Sequence, residues 1–301
     1  MFSAIVLATG PTVVTPLVRQ IRLAAPLGDV LEAEGLVLEP IGAVLALLLL
    51  ELVLGNLHGW RELVLGLLER LGGGVLIGAS VGWLLSELLQ RLKPDQSSGL
   101  PLQLTLGMLF LMYGLSEWLL PESALPASVA AGIVVGRRQT VHTADLDGLI
   151  QELAQLAITM LFPLLAADVS WAELSPLGWG GISCVLVLML VVRPVAVGVA
   201  TVGLPLNLTQ KLFLGWLAPR GIVTASVASL FAIRLEQAGI LGAGRLQGLV
   251  FLTILMTVGL QGLTAQPLAR ALGLIEDSGD ETTSSDEATL QPGKVLPDPG
   301  Q

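Results

Sequence analysis

The residues that could do chemistry are few, and they stand where charge is costly. Glu39 sits in Glu34-Gly-Leu-Val-Leu-Glu39-Pro40-Ile-Gly42, and the apolar run that follows reaches Leu50. Proline has no amide hydrogen to donate, so Pro40 frees a backbone carbonyl one turn earlier. A carboxylate beside an opened backbone offers a proton site and hard oxygen donors for a small monovalent cation, and the two would compete for the same oxygens. The plainer reading of Glu39 is a helix-end glutamate that snorkels to water. Arg220 lies in Leu217-Ala-Pro219-Arg220-Gly221-Ile-Val-Thr224. Its guanidinium stays protonated and needs an anion or carbonyls wherever water is excluded. Glu34 is its natural partner, in a structural pair that leaves neither charge alone. Arg193-Pro194 repeats the motif type near the end of another apolar run, as an interfacial anchor or as a second internal pair.

The first apolar segment is interrupted as well. In Leu7-Ala-Thr9-Gly10-Pro11-Thr12-Val-Val-Thr15, the Gly10-Pro11 step breaks a helix, and Thr9 and Thr12 are placed to satisfy the freed backbone groups. This segment and Leu217–Thr224 both read Leu-Ala, then a Pro/Gly break, then Val and Thr. Two interrupted helices running in opposite senses are the sequence pointer to an inverted-repeat transporter with a site at the membrane midplane.

Such residues need elements that hold them in lipid, and the composition supplies those. Of 301 residues, 53% are hydrophobic and 13% charged, half the roughly 25% charge of a soluble domain; the mean hydropathy is +0.80. With roughly 20 apolar residues per crossing, about nine spans can be drawn: 2–18, 30–55, 62–90, 100–120, 123–136, 148–169, 177–200, 209–234 and 246–270. The fold class is all-α and polytopic. Gly72-Gly73-Gly74 is expected to kink the third span, and the fifth is short. The 35 glycines suit close helix packing.

Basic residues divide between the two ends of these spans. Arg19, Arg22, Arg91, Lys93, Arg137, Arg138, Lys211 and Arg270 fall at one set of ends, and Arg61, Arg70, Arg234 and Arg245 at the other. Eight against four assigns the first set to the cytoplasm. Trp60, Trp118, Trp171 and Trp179 gather toward the opposite face as an interfacial belt, with Glu51 at that interface too. A first crossing that starts abruptly outside reads as a chain truncated at its N-terminus. Much of the net charge of −9 follows Ile275, in a polar stretch, 276–301, expected to be a disordered cytoplasmic tail. Residues 1–275 then form the membrane domain, N-terminally incomplete, in a bacterial inner membrane.

Several function classes drop out. No basic stripe suggests nucleic acid. Cys184, alone in an apolar run, excludes intrachain disulfides and reads as a small core side chain. His58 and His142 fall in loops, and no nucleophile set, phosphate loop or zinc spacing appears, so neither an enzyme, a cofactor nor a resident metal is expected. Asn207-Leu208-Thr209 matches a glycosylation pattern on the side assigned to the cytoplasm.

Together, EAEGLVLEPIGA, LATGPTVVTPLVRQ and WLAPRGIVTASVASLFA resemble the monovalent cation:proton antiporter family, the sodium/proton exchangers, and the likeness runs from about Ile5 to about Leu272. The resemblance implies two discontinuous helices crossing near an ion site. Carried over, Glu39 falls at the ion-binding aspartate, Pro40 at the proline after it, and Glu34 at a glutamate that pairs with an arginine. Arg220 falls at the arginine of an Arg-Gly motif and Thr9 at the threonine of the first broken helix. Three positions depart from the pattern: Glu39 is one methylene longer than aspartate, Leu38 replaces an asparagine, and Gly10 replaces an aspartate often found there. The resemblance implies sodium or potassium and the proton as ligands, one for one, with lipid as surroundings, and it admits a homodimer. A non-transporting remnant or partner subunit of such an antiporter is the alternative, prompted by the abrupt start and the three altered positions.

Overall fold

Proline and glycine decide where the first crossing is interrupted. The computed structural model describes residues 1–24, 26–91, 99–138, 143–167, 174–240 and 242–275; Lys93, His142, Trp171 and the acidic stretch 276–301 lie outside them. Helix α1, Phe2–Ile5, stops ahead of an extended Gly10, and α2, Pro11–Ile21, restarts with Pro11 in its first turn, where a missing amide costs nothing. The other interruption has the same form. Helix α9, Leu208–Trp216, runs into the extended residues 217–221, and α10, Ile222–Gln237, restarts after Gly221. The remaining helices are α3 (Leu27–Val53), α4 (Trp60–Arg91), α5 (Leu100–Leu119), α6 (Ala124–Arg138), α7 (Thr143–Ala167), α8 (Ser175–Ala200) and α11 (Ala243–Ala271). The only bridge of β type among the described residues joins Leu23 to Ile275.

Seven of the nine expected spans each overlap one helix, and 2–18 and 209–234 each overlap an interrupted pair; among the described residues five helices are long and apolar enough to cross a membrane by length and composition, namely α3, α4, α5, α8 and α11. Helix α6 has 15 residues, about 22 Å at 1.5 Å per residue, less than the roughly 30 Å of a hydrocarbon core.

Two expectations about helix breaks need correction. Pro40 does not break its helix; α3 runs through it for 27 residues. Gly72-Gly73-Gly74 does not interrupt α4, which is helical over 32 residues. Its glycines serve packing instead. A Cβ on Gly74 would lie 2.5 Å from the Ser123 carbonyl oxygen, one on Gly78 would overlap the Ala127 carbonyl, and one on Gly82 would lie 2.8 Å from Ala131 Cα. Positions 74, 78 and 82 fall on one face, and α6 lies in that groove. Cys184, expected in the core, is exposed.

Helices α1–α3 and α8–α11 surround the two interruptions. Lipid supplies no hydrophobic drive between helices, so close packing must hold them, and two apolar cores do so. One joins Val14, Val18, Leu27 and Leu31 to Phe213, Leu214, Leu217 and Ala265. The other joins Ala4, Ile5, Ala46 and Leu50 to Val227, Ala228, Phe231 and Val250. The interruptions lie between them.

The ends of the helices keep the two sets of basic residues apart. Ala24 N–H donates to the Leu274 carbonyl at 2.9 Å, bringing the end after Arg19 and Arg22 beside the one after Arg270. Arg138 stacks 5.6 Å from the Trp83 ring near the last turn of α4. At the opposite end, Arg70 makes a forked pair with Glu51, at 2.9 and 3.1 Å. Nearby, the Glu117 carboxylate accepts the Glu122 amide in a turn where Glu122 has φ +64°. Burial and the neighbouring Glu117 push the Glu122 carboxyl above its ordinary range, opposed by Arg70.

Candidate functional site

Two glycines set the geometry of the crossing. A Cβ built on Gly10 would lie 2.6 Å from Gly221 Cα, and one on Gly221 would lie 2.8 Å from Gly10 Cα. Any side chain at either position would force the interruptions apart. Thr12 Oγ1 is 3.3 Å from both hypothetical Cβ positions, so its hydroxyl sits at the point of contact.

An interrupted helix in lipid leaves carbonyls and amides that must be met locally, and here each interruption is met mainly by other elements. Arg220 Nη1 donates to the Leu7 carbonyl at 3.1 Å, and Thr224 Oγ1 to the Ala8 carbonyl at 3.3 Å. The second interruption is served by α11: Gln261 Oε1 accepts the Ala218 amide at 3.1 Å and Thr257 Oγ1 the Arg220 amide at 3.4 Å. Thr257 and Gln261 open and close a π-helical turn, a local widening that recurs at functional sites. The expectation that Thr9 and Thr12 would cover the freed backbone is corrected: neither hydroxyl has a partner.

Glu39 reaches the crossing from α3. Gly35 and Gly42, one turn to either side, touch the first interruption. A Cβ on Gly35 would lie 3.2 Å from the Thr9 carbonyl oxygen, and one on Gly42 would lie 3.1 Å from the Ala8 nitrogen. Spacings of four and three residues place Glu39 between them on the same face. It is 7% exposed, and its Oε1 is buried with no partner.

Glu34 pairs with Arg193, not with Arg220. Arg193 Nη1 donates to one carboxylate oxygen, and Nη2 to the other at 2.7 Å. Arg193 Nη2 also lies 3.3 and 3.4 Å from the carbonyls of Leu214 and Leu217, the last turn before the second interruption. The reason is local. A π-helical turn, Leu188–Val192, immediately precedes Arg193, and Pro194 packs on Gly215 of α9, which presents the guanidinium to both α3 and α9. Arg220 is left to a carbonyl instead. Both arginines line a cavity of about 420 Å³ with Leu38 and Cys184. Sequence reasoning singled out Arg193 without a partner and passed over Thr257 and Gln261; a lone glutamine inside an apolar run was the available signal.

Four polar atoms around the crossing are therefore buried without a hydrogen bond: Thr9 Oγ1, Thr12 Oγ1, Glu39 Oε1 and Arg220 Nε. Each such group costs about 1–3 kcal/mol. Three of the four are oxygens, the donor type that a small hard cation takes. Among the described residues no group of three His, Cys, Asp or Glu could hold a resident metal.

Residues 1–271 match the family model described as "Sodium/hydrogen exchanger, transmembrane". The chain is 25% identical over 298 residues to the probable Na(+)/H(+) antiporter 2 of Methanocaldococcus jannaschii, covering 90% of this chain and 69% of that protein. It is 23% identical to the K(+)/H(+) antiporter NhaP2 of a Shewanella species, covering 90% of this chain and 46% of that one. Among solved structures, the sodium proton antiporter MjNhaP1 of M. jannaschii shares the fold, with a TM-score of 0.73 at 22% identity over 90% of this chain and 70% of that chain.

Proposed function

The chain belongs to the sodium/hydrogen exchanger family, and from that premise we propose that it exchanges a monovalent cation for a proton through one seat, the Glu39 carboxyl at the glycine crossing. The observation that carries this reading is the cluster of unpartnered buried oxygens of Glu39, Thr9 and Thr12. A desolvated cation bound there would satisfy all three, and a proton would neutralise the carboxylate alone. Either occupant removes the net charge, whereas the empty carboxylate is costly to carry through lipid. The occupied states are therefore the ones that reorient, which couples the two fluxes. One carboxylate implies one cation for one proton. Relatives named for sodium and for potassium make both ions candidates.

The Glu34–Arg193 pair holds α3, α8 and the end of α9 together, and Arg220 ties the two interruptions. These residues shape the seat without occupying it. The helix ends bearing Arg19, Arg22 and Arg270 face the cytoplasm, by the imbalance of basic residues; we place the protein in a bacterial inner membrane, with a homodimer as one arrangement open to it.

The test is exchange by the full chain in proteoliposomes with a luminal pH dye. Adding sodium or potassium outside should raise luminal pH, and Glu39→Gln should abolish the response. Equal exchange by Glu39→Gln, or none by the wild-type chain with either ion, overturns the proposal.

A further inference from the structure

The cavity lined by the two arginines carries a charge that cation exchange does not use. Its volume is about 420 Å³, within the range of small-molecule sites. Arg193, on its wall, is neutralised by the forked bond to Glu34. Arg220, on the same wall, is not. It is 6% exposed and enters none of the ion pairs among the described residues. Its guanidinium gives one hydrogen bond, from Nη1 to the Leu7 carbonyl, and the Nε atoms of both arginines are buried without a partner. Two guanidinium groups and one carboxylate leave one net positive charge at this wall, and a charge shielded from water calls for an anion.

The rest of the lining is apolar and arranged along α8. The Arg193 amide donates to the Leu188 carbonyl, five residues back, and this π-helical turn brings the guanidinium round to the face that carries Leu188. Cys184 lies nine residues before Arg193 on the same lining, about 13 Å away along the axis at 1.5 Å per residue. Val187 and Leu188 stand between them and share the cavity with Phe2 and Val6 of α1. Leu7, Val187 and Val192 also line it and are exposed, so it reaches the outer surface of the bundle between α1 and α8. One unmet charge at one end of a long apolar wall is the complement of a singly charged amphiphile. A doubly charged phosphate would leave an excess negative charge, and an inorganic anion would leave the apolar wall without a partner.

We propose that this cavity binds a monocarboxylate with an apolar tail, its carboxylate on the Arg220 guanidinium and its tail along α8 toward Cys184. The site is independent of the antiport reading, and so is its test. Cys184 is the only cysteine of the chain, so its alkylation reports occupancy directly. The full chain in phosphatidylcholine nanodiscs is treated with N-ethylmaleimide at neutral pH, where a carboxylic acid is ionised. Sodium octanoate should slow the reaction several-fold and saturably. Octanamide, with the same tail and no charge, and sodium acetate, with the charge and no tail, should leave the rate unchanged. Arg220→Gln should remove the protection, each variant being compared with its own rate without additive. If that variant fails to fold, Ala196→Trp decides. Ala196 lines the cavity one turn beyond Arg193 and is exposed, so an indole there fills the charged end without disturbing the core, and protection should again be lost. A thiol that does not react, no protection by octanoate, equal protection by octanamide or acetate, or protection that survives either substitution overturns the site.

Discussion

Glycine brings backbones together in two regions of this molecule, to opposite ends. Along α4, Gly74, Gly78 and Gly82 receive α6 against the backbone of residues 123–131. Both helices there are continuous, and their buried hydroxyls turn back onto carbonyls, Ser86 to Gly82 at 2.8 Å and Ser123 to Ser116 at 3.0 Å, while the Ser116 hydroxyl of neighbouring α5 is left without a partner. At the crossing, Gly10 and Gly221 also leave no room for a side chain, but both helices are interrupted and four polar atoms remain unpartnered. The seam converts close approach into packing; the crossing converts it into unmet polar demand. The first stabilises, and the second leaves donors and acceptors free to take up a ligand.

Substitution at the glycines gives the largest expected effects and the sharpest break between the regions. Gly221→Ala should cut exchange by up to about 100-fold, because relieving a 2.8 Å contact with Gly10 Cα moves the interruptions apart by a distance approaching the misplacement of about 1 Å that costs that much. Gly78→Ala should act on the fold instead, lowering the thermal unfolding temperature with a loss of roughly 1–3 kcal/mol typical of overpacking, while surviving protein still exchanges. Exchange lost at full stability in Gly78→Ala would erase the distinction.

The next effect concerns the charged pair. Arg193→Met leaves Glu34 without its partner and should cost about 3–5 kcal/mol, whereas Arg193→Met with Glu34→Leu should recover much of it; denaturation in detergent of the two single variants and the double variant measures the coupling. Glu39→Gln should differ in kind. It should leave the apo protein as stable as wild type while removing the stabilisation that saturating sodium or potassium gives to the folded state, read as a thermal shift with and without the salt. A smaller loss, about 1–3 kcal/mol, is expected from Gln261→Leu, which strands the Ala218 amide.

The smallest effect lies far from the crossing, at the α5–α6 turn. Glu122 has its carboxyl raised from 4.5 by burial and by Glu117. A raised acid binds its proton more tightly when folded, so its contribution to stability is fullest below 4.5 and is lost as pH climbs through the raised value. Glu122→Gln should flatten the thermal stability profile above pH 4.5; an unchanged slope would show that the turn bears no such load.

How much of this could be read in advance follows from which features are local. Both interruptions were legible because Pro and Gly act on their own backbone, at Gly10-Pro11 and at Pro219 to Gly221. Glu39 was legible because a carboxylate in an apolar run needs a reason to be there. Pro40 misled, since a helix packed on both sides can absorb one missing amide. The partner of Glu34 was not legible at all. Two arginines were available, and the choice turned on a π-helical turn and on Pro194 seating against Gly215, both properties of tertiary packing. Gly72 to Gly74 read as a kink because the helix that fills the groove lies some fifty residues away.

The bond between Glu34 and Arg193 spans 159 residues, and that distance imposes an order on biogenesis. During synthesis Glu34 leaves the ribosome long before the arginine that neutralises it, and Gly10 long before Gly221. The early helices must therefore wait in the insertion machinery or keep their acids near water until the helices bearing Arg193 and Gly221 arrive. A release that comes too soon would strand a carboxylate in oil, so elongation rate bears on the yield of functional molecules.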